Sequence, residues 1–296
     1  MLDMPFLPRS VRFSRRTLLR AGAVAVPASF ALAAQEHSLK TIGLQLYTVR
    51  DILPKHPLEV LKEIDAIGYR EVETTFSDHP VWSELHRTRL KPVSEHLAMP
   101  LFEEKNAVQM TGAIADAKAN GVRFLVYPYV PPPERAGLEG MRKLAATLNV
   151  AGQKCKDAGL RLCYHNHAFE FQPIDGTTPF DVLLQETKPD LVGLEMDVFW
   201  VSVAGHDPVK LLQRHADRVQ LLHLKDKAPE TKVQYGEDVA AGAFKEVGHG
   251  SLDFAAILRA AAATRVEHYF VEQDQTPGDP LASVRQSYEY LSKLKF

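Results

Sequence analysis

The stretch LEGMRKLAATLNVAGQKCKDAGLRLCYH, Leu138–His165, contains one complete unit of the pattern that decides the fold. Apolar residues recur at helical spacing, Gly159 follows them, and a short apolar run then ends at His165. A glycine between a helical segment and such a run is typical of a helix C-cap that leads into a parallel strand. Gly68 and Gly121 stand in the same position after two other helical segments.

The same alternation continues from residue 40 to residue 296. Eight apolar runs indicate strands: Thr41–Tyr47, Tyr69–Thr75, Lys91–Leu97, Arg123–Tyr129, Leu160–His165, Val192–Asp197, Val219–Leu224 and His268–Gln273. Segments of helical period separate or follow them: Pro57–Ile67, Leu138–Ala158, Pro179–Glu186, Pro208–His215, Phe254–Ala263 and Pro280–Lys295. This order predicts an α/β protein with one (β/α)8 TIM barrel domain over residues 35–296. A doubly wound open sheet is the alternative, but Leu46–Arg50 stands where that fold would place a glycine-rich phosphate loop.

Residues 1–34 indicate a twin-arginine signal peptide rather than a part of the fold. Arg15 and Arg16 precede an alanine-rich apolar run from Ala21 to Ala34, and Ala31–Ala33 offers a small-residue cleavage site. We therefore expect export to the periplasm or secretion, without a stable membrane span, because the apolar run is too short. A basic amphipathic helix that stays attached is the alternative.

Composition disfavours two classes of function. Residues 1–34 carry five arginines and one aspartate, so the remainder has 30 basic and 36 acidic residues, a net charge of −6. A general nucleic-acid binder needs a basic surface, so nucleic acid is not an expected partner. Cys155 and Cys163 have apolar neighbours, which predicts buried thiols rather than a disulfide or a nucleophile.

Polar residues occupy the C-terminal ends of the predicted strands, the face where barrel enzymes carry out their chemistry. His165, Asp197, His223 and Glu272 end the fifth to eighth strands. Two imidazoles and two carboxylates form a mixed nitrogen and oxygen set that suits one divalent metal ion, Mn²⁺, Co²⁺, Zn²⁺ or Mg²⁺. Four ionisable groups buried together without a cation would be costly, so we expect a metal site.

Side-chain alternation adds residues to the same face. Residues two apart on a strand share a face, which pairs Cys163 and His167 with His165, Glu195 with Asp197, Lys225 with His223, and Asp274 with Glu272. This face directs Lys225 into the mouth of the barrel, where a lysine is more often functional than not. We expect Glu195 to be a buried, hydrogen-bonded residue, and Asp226 to accept a hydrogen bond from a ligand histidine.

Seven short motifs occur in order along the chain: IGLQLY (42–47), GYREVE (68–73), YHNH (164–167), GLEMD (193–197), HLKD (223–226), GHGSLDF (248–254) and VE (271–272). Together they resemble the xylose isomerase-like TIM barrel superfamily, in its sugar phosphate isomerase/epimerase branch. The resemblance covers residue 40 to the end; the ordered set is specific, although no single motif is.

The resemblance implies a metal site with one departure. Relatives with ketose epimerase or hydroxypyruvate isomerase activity bind a divalent metal through Glu, Asp, His and Glu on these four strands. Asp197, His223 and Glu272 match the last three, whereas His165 stands where the first glutamate is expected. In those relatives two carboxylates move a proton through an enediolate.

This departure bears on the reaction. Glu272 supplies one base, and the second role falls to the imidazole of His165, or to Lys225, Glu73 or His96. We therefore expect catalytic roles for Glu272, His165 and Lys225. Removal of a proton on one side, followed by loss of a β-substituent, would use the same metal and base.

Six residues are expected to contact substrate: Glu73, His96, His167, Glu170, Trp200 and Tyr47. Glu170 resembles a substrate-contacting glutamate of the ketose epimerases, and Trp200 replaces a sugar-binding histidine of theirs. Because phosphorylated sugars are chiefly cytoplasmic, an exported enzyme favours a free sugar, an inositol-like polyol or an oxidised glycoside.

The leading hypothesis is a metal-dependent isomerase or epimerase of a non-phosphorylated carbohydrate. A lyase or hydratase of keto-sugars or 3-keto-glycosides, on the same site, is the first alternative. A sugar-binding barrel without catalysis is the second, and an apurinic-site endonuclease is disfavoured by the charge. Dimers and tetramers are common in the resembled family, so a homo-oligomer is a further expectation.

Overall fold

Eight parallel strands close into a barrel in the computed structural model, which describes residues 36–75 and 79–296. The barrel strands are β1 (Gly43–Gln45), β2 (Glu71–Thr75), β3 (Lys91–His96), β4 (Phe124–Tyr127), β5 (Arg161–His165), β6 (Val192–Asp197), β7 (Val219–Leu224) and β10 (His268–Val271). Each lies within a predicted strand, and β6 and β7 have the predicted bounds. β1 pairs with both β2 and β10, so the sheet closes, which confirms the TIM barrel and excludes the open sheet.

Helices cover the outside of the barrel: α1 (Pro57–Ile67), α2 (His79–Leu85), α3 (Ala107–Ala119), α4 (Gly137–Asp157), α5 (Pro179–Glu186), α6 (Val198–Val203), α7 (Pro208–Arg214), α8 (Phe254–Ala261) and α9 (Pro280–Lys293). Three predicted C-cap glycines have positive φ: 131° at Gly68, 86° at Gly121 and 82° at Gly159. The sequence did not predict α2, α3 or α6.

Alternation along the strands separates two apolar layers. On β4, Phe124 and Val126 belong to a cluster inside the barrel, whereas Leu125 and Tyr127 belong to the larger core between strands and helices. Cys163 lies in the inner cluster. The ring of Phe270 in this cluster lies 6.1 Å from the ring of His223, so the inner apolar layer adjoins the ionisable residues of the interior.

Asp226 fixes the long connection between β7 and α8. It begins the short strand β8 (Asp226–Lys227), which pairs antiparallel with β9 (Phe244–Lys245). Its carboxylate accepts hydrogen bonds from five backbone N–H groups, those of Lys227, Gly248, Gly250, Ser251 and Leu252. The expectation that Asp226 serves a ligand histidine is therefore wrong, because both carboxylate oxygens are used by the loop.

Three predictions concern the twin-arginine segment, the lack of a membrane span and the two cysteines. The twin-arginine segment predicted over residues 1–34 lies outside the described residues. None of the helices within the described ranges is long and apolar enough to cross a membrane. Cys155 and Cys163 are buried free thiols, as predicted.

Candidate metal centre and active site

The ends of β5, β6, β7 and β10 bring His165, Asp197, His223 and Glu272 together, and we call these four residues the metal set. One ligand atom from each lies within 4.8 Å of the others, and all four side chains are buried. His223 Nδ1 lies 2.9 Å from Glu272 Oε2 and 3.9 Å from Asp197 Oδ2. His165 Nε2 lies 3.4 Å from Asp197 Oδ2.

Two buried acceptor atoms of the metal set, His165 Nε2 and Asp197 Oδ2, lie 3.4 Å apart. His165 Nδ1 lies 3.2 Å from the carbonyl oxygen of Pro128, so Nδ1 carries the hydrogen and Nε2 is left as an acceptor. Asp197 Oδ1 accepts from the backbone N–H groups of Phe199 and Trp200 and caps α6, which leaves Oδ2. Neither His165 Nε2 nor Asp197 Oδ2 makes a hydrogen bond, although both are buried. Since unpaired buried acceptors are costly, the donor set fits a divalent cation.

Lys225 lies within the same group of charges. Its buried ammonium is 2.7 Å from Asp274 Oδ1, 2.8 Å from Glu272 Oε2 and 3.0 Å from Asp197 Oδ2, although its approach to Asp197 lacks hydrogen-bond geometry. Burial lowers the pKa of Lys225, but the three carboxylates raise it well above its ordinary value. As an ammonium, Lys225 serves as a cation and donor and does not accept a proton.

A second layer of ionisable residues supports His223 from inside the barrel. Glu73 Oε1 lies 2.6 Å from His223 Nε2 and accepts from Gln45 Nε2 at 2.7 Å, and Glu73 Oε2 accepts from Ser94 Oγ. Glu195 Oε1 lies 3.4 Å from the same histidine nitrogen. His223 therefore directs Nε2–H at carboxylates and Nδ1 at the metal set, the carboxylate–histidine arrangement common at metal sites.

His96 links this second layer to the cavity above it. Its Nε2 lies 2.7 Å from Glu195 Oε2 and 3.0 Å from Glu73 Oε1. Burial lowers the pKa of His96, but these two carboxylates raise it to about 10. The imidazole is therefore charged at neutral pH, and Nδ1 is the ring nitrogen left to face a substrate. Glu195 is buried and hydrogen-bonded, as expected.

A cavity of about 280 Å³ opens beside the metal set, and we call it the metal cavity. Its lining residues are Tyr47, Thr75, His96, Met99, Pro128, Tyr129, His165, His167, Glu272 and Asp274. Three of the expected substrate contacts, Tyr47, His96 and His167, are among them. Burial and the nearby ammonium of Lys225 hold the pKa of His167 well below its ordinary value, so this ring is neutral.

Three other expected substrate contacts do not line the metal cavity. Glu73 is fully buried below it, in contact with His223. Glu170 is fully buried because the turn Phe169–Phe171 directs it inward, where it accepts from Tyr164 OH at 2.7 Å and from the His167 backbone. Burial raises the pKa of Glu170 to about 7.

Trp200 also stands behind the cavity wall. Its ring is buried and lies 5.3 Å from the ring of His167. Its Nε1 is buried without a hydrogen-bond partner, and substrate contact by Trp200 stays a prediction. Ser94 was expected among the polar residues at the strand ends, together with Glu73 and His96. Sequence reasoning did not single out Gln45, although a polar residue between apolar strand neighbours was an available indication.

Comparison with known proteins agrees with this architecture. The profile of the xylose isomerase-like TIM barrel family matches residues 96–294. Inosose dehydratase of Clostridium botulinum (strain Alaska E43) is 31% identical over 160 residues, 51% of this chain and 53% of its own. That of Geobacillus kaustophilus is 30% identical over 157 residues, 50% of each chain. The chain thus spans about half the length of the curated relatives it matches.

Solved structures show the same fold. A sugar phosphate isomerase/epimerase from Parabacteroides distasonis aligns with a TM-score of 0.72 and 23% identity, over 90% of this chain and 98% of that one. A 3-keto-D-glucoside 4-epimerase from E. coli aligns with a TM-score of 0.62 and 17% identity, over 86% of this chain and 99% of that one. A zinc-bound IolI protein aligns with a TM-score of 0.64 and 14% identity, over 86% of this chain and 95% of that one. The profile match over more than half of the chain and the closed barrel establish that the chain belongs to the xylose isomerase-like TIM barrel family.

Proposed function

We propose that this chain is a divalent-metal-dependent lyase that removes water, or another β-substituent, from a non-phosphorylated keto-sugar or cyclic keto-polyol. The observation that carries the proposal is the imidazole of His165 at the end of β5. Because His165 is not a carboxylate, Glu272 is the one carboxylate of the metal set that lines the metal cavity. Asp274 also lines it, and the Lys225 ammonium lies against both carboxylates, 2.7 Å from Asp274 Oδ1 and 2.8 Å from Glu272 Oε2. Glu272 is the base in this proposal because it belongs to the metal set, and one such base suits proton removal on one face.

The metal set would hold the cation, which when bound would polarise the substrate carbonyl and acidify the neighbouring C–H group. Glu272 then takes that proton, and the electrons of the C–H bond form a C=C bond. The bond to the β-hydroxyl breaks, and the charged ring of His96 supplies the proton with which hydroxide leaves as water. Glu272 ends protonated and His96 neutral, and exchange with solvent restores both.

The lining of the metal cavity supports an uncharged substrate. It contains no arginine or lysine among the described residues, and the nearby cations Lys225 and His96 are already paired with carboxylates. Arg50 stacks on the lining residue Tyr47, and its guanidinium donates to the carbonyl oxygens of Tyr47 and Asp274. A phosphate group would therefore have to displace existing partners to meet a cation there. Dehydration is also the activity named for the two curated relatives, and inosose is a cyclic ketone.

An isomerase or epimerase is the second candidate, favoured by one observation. His96 enters the cavity from β3, three strands around the barrel from β10, which precedes Glu272. A second proton-transfer group at that distance from Glu272 would allow a proton to return on a different face of the substrate.

One experiment separates the candidates. Zinc- or manganese-loaded protein is incubated in D₂O with inosose, 3-keto-glucose and a panel of ketohexoses, and products are analysed by NMR and mass spectrometry. We expect loss of one water and a conjugated enone, abolished in Glu272→Gln. Deuterium incorporation without loss of water would establish the isomerase instead. No reaction and no exchange with any ketone would leave only a sugar-binding barrel.

A further inference from the structure

A second cavity of about 280 Å³ lies next to the metal cavity, and we call it the side cavity. Its walls come from the connections after β4, β5 and β7, and include Arg135, Phe169, Gln172 and Tyr235. The two cavities share no lining residue within the described ranges. The metal set and its chemistry therefore leave the side cavity without an assigned role.

Two stacked side chains lie between the cavities. Tyr129 lines the metal cavity, Arg135 lines the side cavity, and the Arg135 Cζ lies 5.2 Å from the centre of the Tyr129 ring. Arg135 also stacks on Phe169, with Cζ 3.7 Å from the ring centre. Tyr129 and Arg135 therefore form the wall that a ligand would cross to extend from the metal cavity into the side cavity.

The charges at this junction are balanced. Arg135 pairs with Glu237 at 2.6 Å, and Tyr129 OH donates to the same carboxylate at 3.1 Å. Because the guanidinium is neutralised, the side cavity presents no net charge to attract an anion. It offers aromatic surface with planar hydrogen-bonding groups, which suits the polar edge and apolar face of a sugar ring.

The volumes of the two cavities also favour a ligand that occupies both. Sites for small molecules occupy about 300–1,000 Å³, so the metal cavity alone, at about 280 Å³, lies just below that range. We propose that the side cavity is a subsite for the second, non-reacting ring of a two-ring keto-glycoside whose oxidised ring lies in the metal cavity. This inference rests on the proposed function and narrows its substrate class.

The chain offers a variant that fills the side cavity and a matched control. Gly236 lines the cavity, its φ is not positive, and a Cβ there would meet no atom within 4 Å. Gly236→Phe should therefore occupy the space without backbone strain. Gly242, in the same connection, is equally open and does not line the cavity, so Gly242→Phe is the control. Tyr235→Ala removes an aromatic wall instead.

Binding of glucose, cellobiose, maltose and trehalose to the zinc-loaded full chain is measured by calorimetry. We expect at least one two-ring sugar to bind about tenfold more tightly than glucose, an advantage lost in Gly236→Phe and reduced about three- to tenfold in Tyr235→Ala. Gly242→Phe should retain the advantage, and glucose affinity should stay within about twofold in all three variants.

Equal affinity for one-ring and two-ring sugars, or an advantage that survives Gly236→Phe, overturns the subsite. Turnover of 3-keto-glucose is measured on the same proteins. Turnover without any gain from a second ring removes the subsite and leaves the proposed reaction. Tighter binding of two-ring sugars without turnover of any keto-sugar supports the subsite and removes the reaction.

Discussion

Glu73 determines which nitrogen of His223 faces the metal set. Its carboxylate lies 2.6 Å from His223 Nε2 and is itself held by Gln45 and Ser94. The Glu73 carboxylate is surrounded by donors from His223, Gln45 and Ser94. Glu73→Gln replaces one of its oxygen atoms with an amide N–H₂ group, which cannot accept. The form of His223 with a hydrogen on Nε2 and a free Nδ1 for the metal is then less stabilised. We expect zinc affinity to fall about 10–100-fold, measured by competition with a chromogenic chelator.

The matched control for this prediction is Glu71→Gln, the same change on the same strand. Glu71 bonds His268 rather than a residue of the metal set. Zinc affinity should be unchanged in that variant. Wild-type affinity in Glu73→Gln would mean that His223 does not depend on Glu73 for its orientation.

Glu170 makes stability depend on pH. Burial raises its pKa to about 7 from an ordinary 4.5, so the folded chain holds a proton on Glu170 that the unfolded chain has released. This contribution to stability is complete below pH 4.5 and is lost as the pH rises to about 7. In Glu170→Gln the carbonyl oxygen can still accept from Tyr164 and the His167 backbone.

We therefore expect Glu170→Gln to resemble wild type near pH 4.5 and to be more stable at pH 8, by about 1–3 kcal/mol. Urea unfolding at both pH values measures the difference, with the exposed Glu186→Gln as control. A variant that loses stability at pH 8 would show that the ionised carboxylate is the form that the fold prefers.

Single residues also show what the sequence could and could not predict. Strand ends placed His165 and Glu272 in one group, because the C-terminal ends of parallel strands converge. Position after a strand did not reveal the direction of Glu170, since a turn directs this side chain away from the cavity. A family resemblance predicts which position in the sequence corresponds to a substrate contact. Whether the side chain at that position reaches the cavity depends on the local backbone conformation.

Among the elements, the predicted bounds were best where an apolar run ended at a charged or turn residue. α3 was missed because its sequence, AVQMTGAIADAKA, has no clear apolar stripe and contains a glycine. α6 was missed because VFWVSV is apolar almost throughout, and helical period cannot be seen in such a run. The Asp197 side chain caps the N-terminus of α6. From the sequence, Asp197 was interpreted as a metal ligand only, and its capping role was not predicted.

The loop held by Asp226 is the element most open to a test. Five backbone N–H groups share its carboxylate, and a Cβ at Gly250 would overlap that carboxylate. Asp226→Asn turns an amide N–H₂ toward some of these donors. We expect a loss of about 1–3 kcal/mol in the free energy of unfolding and faster hydrogen exchange at residues 248–252.

The exposed Asp238→Asn, in the same connection, should change neither quantity. Unchanged exchange at residues 248–252 in Asp226→Asn would show that the short β8–β9 ladder alone holds the loop. Because Asp226 directly follows Lys225, the catalytic rate of the variant also reports whether the loop keeps that ammonium in place.

In the whole molecule, the charges inside the barrel are unbalanced without a cation. Four carboxylates are buried there, those of Glu73, Glu195, Asp197 and Glu272, against the cations of Lys225, His96 and, when no metal is bound, His223. Burial lowers the pKa of His223, but Glu195, Glu272 and Glu73 raise it well above its ordinary value, so a proton occupies His223 when no metal does. Metal binding must therefore displace a proton, and its affinity should increase with pH.

This balance predicts that metal stabilises the whole barrel and that Asp197 controls the effect. At a free zinc concentration 100 times Kd, the gain is about 2.7 kcal/mol, a rise in Tm of about 5–10 °C by calorimetry. In Asp197→Asn the amide oxygen can still cap α6, but an amide N–H₂ group replaces the carboxylate oxygen that lies 3.0 Å from the buried Lys225 ammonium, so the metal-free Tm should fall. The zinc-dependent rise should disappear. Asp197→Ala loses both functions and should also lower the metal-free Tm, by the loss of the cap. A zinc-dependent rise of wild-type size in Asp197→Asn would remove Asp197 from the metal set.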